Sequence, residues 1–188
     1  AIMSDGEEEV AENISMTPQP QISLVIMDQS NGHVVAIVGG RGAKEGSRTL
    51  NRATDSARQP GSTFKVLSTY APALDSAGMT LATVFNDAPF NYNDGTPVHN
   101  WYSNPPYEGL SSIRKGIYHS MNIVTVKCLT QITPKLGFDY LEDFGFTTLN
   151  ELNDCYQPMA LGGVGGVTNL ELCAAYATIA NGGVYKWA

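Results

Sequence analysis

Arg58-Gln59-Pro60-Gly61-Ser62-Thr63-Phe64-Lys65 places a serine at the entrance of a helix and a lysine one turn further on. Proline is favoured near a helix start. Phe64, Leu67, Ala71 and Leu74 continue at helical spacing until Gly78 stops the run. Pro72 inside the run predicts a kink. On a helix, positions i and i+3 share a face, so Ser62 and Lys65 point the same way. A serine hydroxyl is a poor nucleophile until a base takes its proton. A lysine serves as that base when burial and neighbours lower its pKa. The free N–H groups of a first helical turn also stabilise developing negative charge. Alone, Ser-x-x-Lys equally fits a capping serine followed by a solvated lysine.

Upstream, Ile22–Met27 and His33–Val38 are rich in β-branched residues and flank Asp28-Gln29-Ser30-Asn31-Gly32, which predicts a β-hairpin. Residues 41–58 lack periodicity and read as a loop. Residues 1–20 are acidic and irregular, closed by Pro18 and Pro20, and read as a linker or domain entry. The domain proper is expected over 21–188.

Downstream, residues 86–109 read as a long loop carrying Trp101 and Tyr102. Such aromatics either line a substrate groove or anchor the loop on the core, and Trp101 and Tyr102 are candidate substrate-binding residues. Ser111-Ser112 predicts the cap of a helix to about His119. A second helical pattern runs from Asn122 through Leu129. Ser120-Met121-Asn122 falls at the break between them, where side chains project into a cleft. A second serine there relays protons, and an asparagine amide holds a lysine or a substrate carbonyl. Thr168-Asn169-Leu170-Glu171 reads as a capping box, and Asn181-Gly182-Gly183 ends that helix. Val184-Tyr185 reads as the start of a strand. The order of elements implies α+β, with helices packed on an antiparallel sheet.

The bulk properties agree with a globular domain. The chain has 188 residues, 43% of them hydrophobic and 15% charged, enough for one sizeable core. A net charge of −7 argues against nucleic acid as a partner. Cys128, Cys155 and Cys173 include no C-x-x-C and read as free thiols. His33, His99 and His119 lack ligand-like spacing, so no metal site is expected. Gly162-Gly163-Val164-Gly165-Gly166 lacks the lysine and serine or threonine of a phosphate loop and reads as close packing or a flexible loop. No run approaches the roughly 18 apolar residues of a membrane span.

The succession of Ser62-x-x-Lys65 and Ser120-x-Asn122, 58 residues apart from serine to serine, is similar to that of penicillin-binding proteins and class A β-lactamases. From about Gln21 onward the chain resembles the transpeptidase domain of class A, bifunctional penicillin-binding proteins. The resemblance includes Ala36-Ile37-Val38-Gly39-Gly40, Asn51-Arg52-Ala53, Ala160-Leu161-Gly162-Gly163, Gly166-Val167-Thr168, Tyr176-Ala177-Thr178 and Asn181-Gly182-Gly183. It implies a β-lactamase-like transpeptidase fold and a peptidoglycan D,D-transpeptidase. Ser62 would be acylated by stem peptides ending in D-Ala-D-Ala or by β-lactams. Lys65 would accept its proton, Ser120 would shuttle protons to the departing D-alanine, and Asn122 would fix Lys65 and the substrate backbone. No cofactor is implied. The implied location is the extracytoplasmic face of the bacterial membrane, with an anchor outside this chain.

The departures are specific. The family's third motif, Lys-Thr/Ser-Gly, does not occur. Its expected place is downstream of Trp187, so the domain is expected to be incomplete, with its C-terminal part as a needed partner. The glycosyltransferase domain that usually precedes the linker is also absent. Val66 stands where many relatives have proline. The Glu-x-x-Leu-Asn motif of class A β-lactamases is absent too, with Leu149 in place of the glutamate before Leu152-Asn153. A D,D-carboxypeptidase, which passes the acyl group to water, a β-lactamase-like hydrolase and a catalytically silent β-lactam- or peptidoglycan-binding module remain the alternatives.

Overall fold

A computed structural model of the chain describes residues 20–42, 46 and 49–186. Apart from Pro20, the expected linker lies outside the described residues. The architecture is α+β, with two two-stranded antiparallel sheets among the described residues. β1 (Leu24–Asp28) and β2 (His33–Val38) form the expected hairpin. Asp28 Oδ1 accepts the Ser30 N–H at 2.9 Å, and Gly32 takes φ 82°, which glycine adopts without a Cβ penalty. Along β1, Val25 and Met27 are half-buried while Leu24 and Ile26 are exposed, the period-two alternation of a strand covered on one face. That cover is α7 (Asn169–Ala180). Its start carries the capping box: the Thr168 hydroxyl accepts the Glu171 N–H at 3.2 Å, and Glu171 Oε2 accepts the Thr168 N–H at 2.9 Å.

Within the expected 41–58 loop sits α1 (Arg52–Asp55), capped by the Asn51 side chain. A four-residue helix has too few positions to show a period. The long loop after it is bracketed by β3 (Val84–Asp87), which pairs with β4 (Gly109–Ser112). The Ser112 hydroxyl then caps α3 (Ile113–Tyr118) by accepting the Lys115 N–H. α4 (Asn122–Ile132) follows, then α5 (Pro134–Asp143) and α6 (Glu151–Asp154). Val184 and Tyr185 form no strand among the described residues. The Val184 N–H instead donates to Asn181 Oδ1 at 2.9 Å. Phe64, Leu67, Ile113, Ile123, Val124, Leu129, Phe138, Leu141 and Met159 are fully buried and form the core.

The serine-bearing segment is one continuous helical run of mixed type: a 3-10 turn (Gly61–Thr63), helical Phe64 and Lys65, a π-helical turn (Val66–Tyr70) and α2 (Ala71–Asp75). In the π turn, the Ala71 N–H donates to the Val66 carbonyl, five residues back. Pro72 has no N–H, and its ring would collide with the carbonyl four residues back, that of Ser68. Widening the turn relieves this. The Ser68 carbonyl faces Gly137 on α5, where an added Cβ would lie 2.4 Å from the carbonyl oxygen and 2.7 Å from Leu129 Cδ1. Gly137→Ala is therefore expected to destabilise the fold by about 1–3 kcal/mol, the usual cost of overpacking. Thermal unfolding checks this, and an unchanged melting temperature would show that α5 and the π turn are not locked together.

Candidate active site

The turn that carries Ser62 is held by neighbours distant in sequence. Gly61 has φ 57°, a conformation that costs other residues about 1–2 kcal/mol. The Thr63 hydroxyl donates to the Pro60 carbonyl at 2.6 Å. From α7, the Tyr176 hydroxyl donates to the Thr63 carbonyl at 2.6 Å. Arg58 and Val167 exchange backbone hydrogen bonds of 3.0 and 2.9 Å. Gly162 ends the 3-10 turn Gln157–Leu161 and abuts Gly61 so closely that a Cβ would fall 2.4 Å from the Gly61 nitrogen. The glycine run at 162–166 is thus close packing beneath the serine, as one of the two sequence readings had it. Ser62 itself is exposed.

Lys65, three residues on, is 3% exposed. Its Nζ donates to the Ser120 carbonyl at 2.7 Å, to Ser120 Oγ at 3.0 Å and to Asn122 Oδ1 at 2.6 Å. An ammonium has three N–H donors, and these three acceptors use them all. Burial pulls the Lys65 pKa down to about 8, because the charged form loses its hydration. At pH 7 roughly a tenth of the side chain is then a neutral amine.

Ser120 reaches Lys65 with both its carbonyl and its hydroxyl because it sits in the left-handed region, φ 50°. Such a conformation in a non-glycine residue costs about 1–3 kcal/mol and clusters at functional sites. The chain leaves α3 at His119, and the Met121 N–H donates back to the Gly116 carbonyl at 3.0 Å, so the reversal is tight. Asn122 opens α4. Its Nδ2 donates to the His99 carbonyl at 2.7 Å, which turns its Oδ1 toward Lys65.

Trp101 and Tyr102 pack against His119, the residue before Ser120. The Trp101 indole N–H donates to the His119 carbonyl at 2.9 Å, and Tyr102 stacks on the His119 ring at 5.0 Å with 7° between planes. Trp101 is 66% exposed, whereas Tyr102 is half-buried with its hydroxyl on Asp87. A groove of about 680 Å³ adjoins the serine turn through Arg58, Gln59, Pro60 and Thr63, but none of Ser62, Lys65, Ser120 or Asn122 lines it. No cluster of three or more potential metal ligands occurs among the described residues.

Two sequence segments 55 residues apart thus meet at one amine, on the same helical run as the exposed Ser62. A model of the penicillin-binding protein transpeptidase domain matches residues 22–187. The chain belongs to the penicillin-binding-protein transpeptidase family. Penicillin-binding protein 1A of Clostridium tetani is 34% identical over 177 residues, covering 88% of this chain and 22% of that protein. Penicillin-binding protein 1A of Neisseria cinerea is 39% identical over 173 residues, covering 88% of this chain and 20% of that protein. The crystal structure of penicillin-binding protein 1A from Haemophilus influenzae superposes with a TM-score of 0.76 at 31% identity, covering 88% of this chain and 24% of that one. The chain therefore spans about a fifth of the length of the curated penicillin-binding proteins it matches. His99 and Asn100, which hold the start of α4, had no signal in the sequence, since they read as part of an irregular loop.

Proposed function

We propose that these residues carry the nucleophile and base of a peptidoglycan D,D-transpeptidase. The observation that supports this is the buried Lys65 amine, hydrogen-bonded at once to Ser120 and Asn122 and three residues from the exposed Ser62. Neutral Lys65 takes the Ser62 proton as Ser62 Oγ adds to the carbonyl carbon of the penultimate D-alanine of a stem peptide. The ammonium that forms is received by the three acceptors already around it. The peptide C–N bond breaks, Ser120 relays the proton to the departing D-alanine amine, and an ester to Ser62 remains. An amine of a neighbouring stem peptide attacks that ester, forms the cross-link and returns the proton to Ser62. Asn122 fixes Lys65 and the substrate backbone, and the exposed face of Trp101, with Tyr102 behind it, contributes to the substrate groove. A β-lactam enters by the same first step, but its leaving nitrogen stays tethered, so the ester persists.

Stem peptides and β-lactams are the partners in this reading, together with the remaining part of the same domain. The work is done at the extracytoplasmic face of the membrane, where peptidoglycan is built, with an anchor outside these residues. Among the described residues no helix is long and apolar enough to cross a membrane.

The pH dependence tests the base. Only the amine form of Lys65 accepts a proton, so the acylation rate constant of the full-length protein with a fluorescent penicillin should climb as pH rises toward about 8 and flatten above it. A rate that is flat between pH 6 and 9, roughly two units below to one unit above the perturbed lysine, would exclude Lys65 as the base. Release of D-alanine from a D-Ala-D-Ala peptide, with product carrying an added amine, separates transfer from hydrolysis. Release with water as the sole acceptor would instead mark a carboxypeptidase.

A further inference from the structure

Asp87, at the end of β3, is 1% exposed, and none of the ion pairs among the described residues includes it. A buried carboxylate without a cation must have its lone pairs filled by donors, and here they are. Oδ1 accepts Asn100 Nδ2 at 2.8 Å. Oδ2 accepts the Tyr102 hydroxyl at 2.7 Å and the Glu108 N–H at 2.8 Å. A carboxylate only accepts, so the Asn100 amide cannot turn over. Its Oδ1 is thereby aimed at the first turn of α4, where it accepts the Asn122 N–H at 3.0 Å and the Ile123 N–H at 3.3 Å. Helix starts leave such N–H groups without partners. Met121, at the cap position, supplies no side-chain bond, so Asn100 caps α4 from 22 residues away. The adjoining His99 carbonyl holds Asn122 Nδ2. Donation runs in one direction: Lys65 Nζ to Asn122 Oδ1, the Asn122 N–H to Asn100 Oδ1, and Asn100 Nδ2 to Asp87 Oδ1.

We propose that Asp87 and Asn100 are a positioning pair for acylation: Asp87 fixes which way the Asn100 amide faces, and Asn100 places the start of α4 so that Asn122 meets Lys65. This rests on the reading that Ser62 is acylated with Lys65 as base. Asn100 Nδ2 also donates to the Pro106 carbonyl at 3.3 Å, so two obligate acceptors hold the amide in one orientation, with Asp87 the shorter contact.

The test measures, in the full-length protein, the acylation rate constant per titrated active site with a fluorescent penicillin, across pH, beside the melting temperature. Asn100→Asp keeps an acceptor for the two N–H groups but sets a carboxylate against Asp87. The expected result is a fall of about 10²-fold, the scale of an ångström-sized misplacement of catalytic groups, with a displaced pH profile. A defect confined to stability lowers the melting temperature but leaves the per-site rate and its profile in place. The exchange Asp87→Asn with Asn100→Asp restores the one hydrogen bond between the two side chains with donor and acceptor swapped, losing only the longer contact to the Pro106 carbonyl, and it is expected to recover most of the rate. Asn100→Asp with the wild-type rate and profile overturns the proposal. So does a double variant that is no faster than the single one. If the single variant is insoluble, a soluble, fast double variant supports the pairing and a slow or insoluble one overturns it. Wild-type protein that takes no label overturns the acyl-enzyme reading together with this one, whereas labelled wild type with indifferent variants overturns this one alone.

Discussion

Ser62→Ala is expected to abolish covalent labelling by penicillin while leaving the fold intact. The side chain is exposed and stands on a 3-10 turn whose shape is set by Gly61, the Gly162 contact, and the Tyr176 and Val167 hydrogen bonds. Removing its Oγ takes nothing from the core and leaves the Lys65, Ser120 and Asn122 contacts in place. The acyl bond itself is lost, so the effect is total rather than graded. Gel fluorescence after penicillin treatment, with thermal unfolding alongside, checks both halves of the expectation. Residual labelling in a folded variant would move the nucleophile elsewhere, with Ser120, which also contacts Lys65, the first position to inspect.

Lys65→Ala is expected to slow acylation by about 10²–10⁴-fold, the usual contribution of a general base. Two effects on stability oppose each other. The variant removes an amine whose burial disfavours its charge, but it strands the Ser120 carbonyl, Ser120 Oγ and Asn122 Oδ1, each worth about 1–3 kcal/mol if left unsatisfied. The rate must therefore be expressed per folded, titrated site. Lys65→Arg separates charge from basicity. A guanidinium keeps the positive charge at every accessible pH and cannot accept a proton, so it should lose the rate as alanine does. A second-order rate constant unchanged in either variant would show that another group takes the proton from Ser62.

The motif residues could be read from the chain because their signal is local. Ser62 and Lys65 lie one turn apart after Pro60, and Ser120 and Asn122 mark a break between two helical patterns. The hairpin, the Ser112 cap and the Thr168–Glu171 box were equally legible, since each is a short-range hydrogen-bond pattern. α5 was not. Thr133 and Pro134 do form a helix start, with the Thr133 hydroxyl accepting the Leu136 N–H, but Gly137 in its middle argues against a helix. That glycine answers to the Ser68 carbonyl across the core, a contact no local pattern encodes. The same holds for β3, where Asn86 and Asp87 look like loop residues until β4 pairs with them. It holds too for Asp87 and Asn100, whose partners lie 13 and 22 residues away. The hairpin's exposed Leu24, Ile26, Val35 and Ile37 likewise fit a strand pattern without indicating which face is covered.

Peptide mapping by mass spectrometry of the full-length protein after brief exposure to a penicillin tests the account most directly. One penicilloyl group is expected per molecule, on the peptide containing Gln59–Lys65, with fragment ions assigning it to Ser62. An adduct assigned to Ser120, to a cysteine or to any residue outside that turn, or a folded protein that forms no adduct, would contradict Ser62 as the nucleophile served by Lys65.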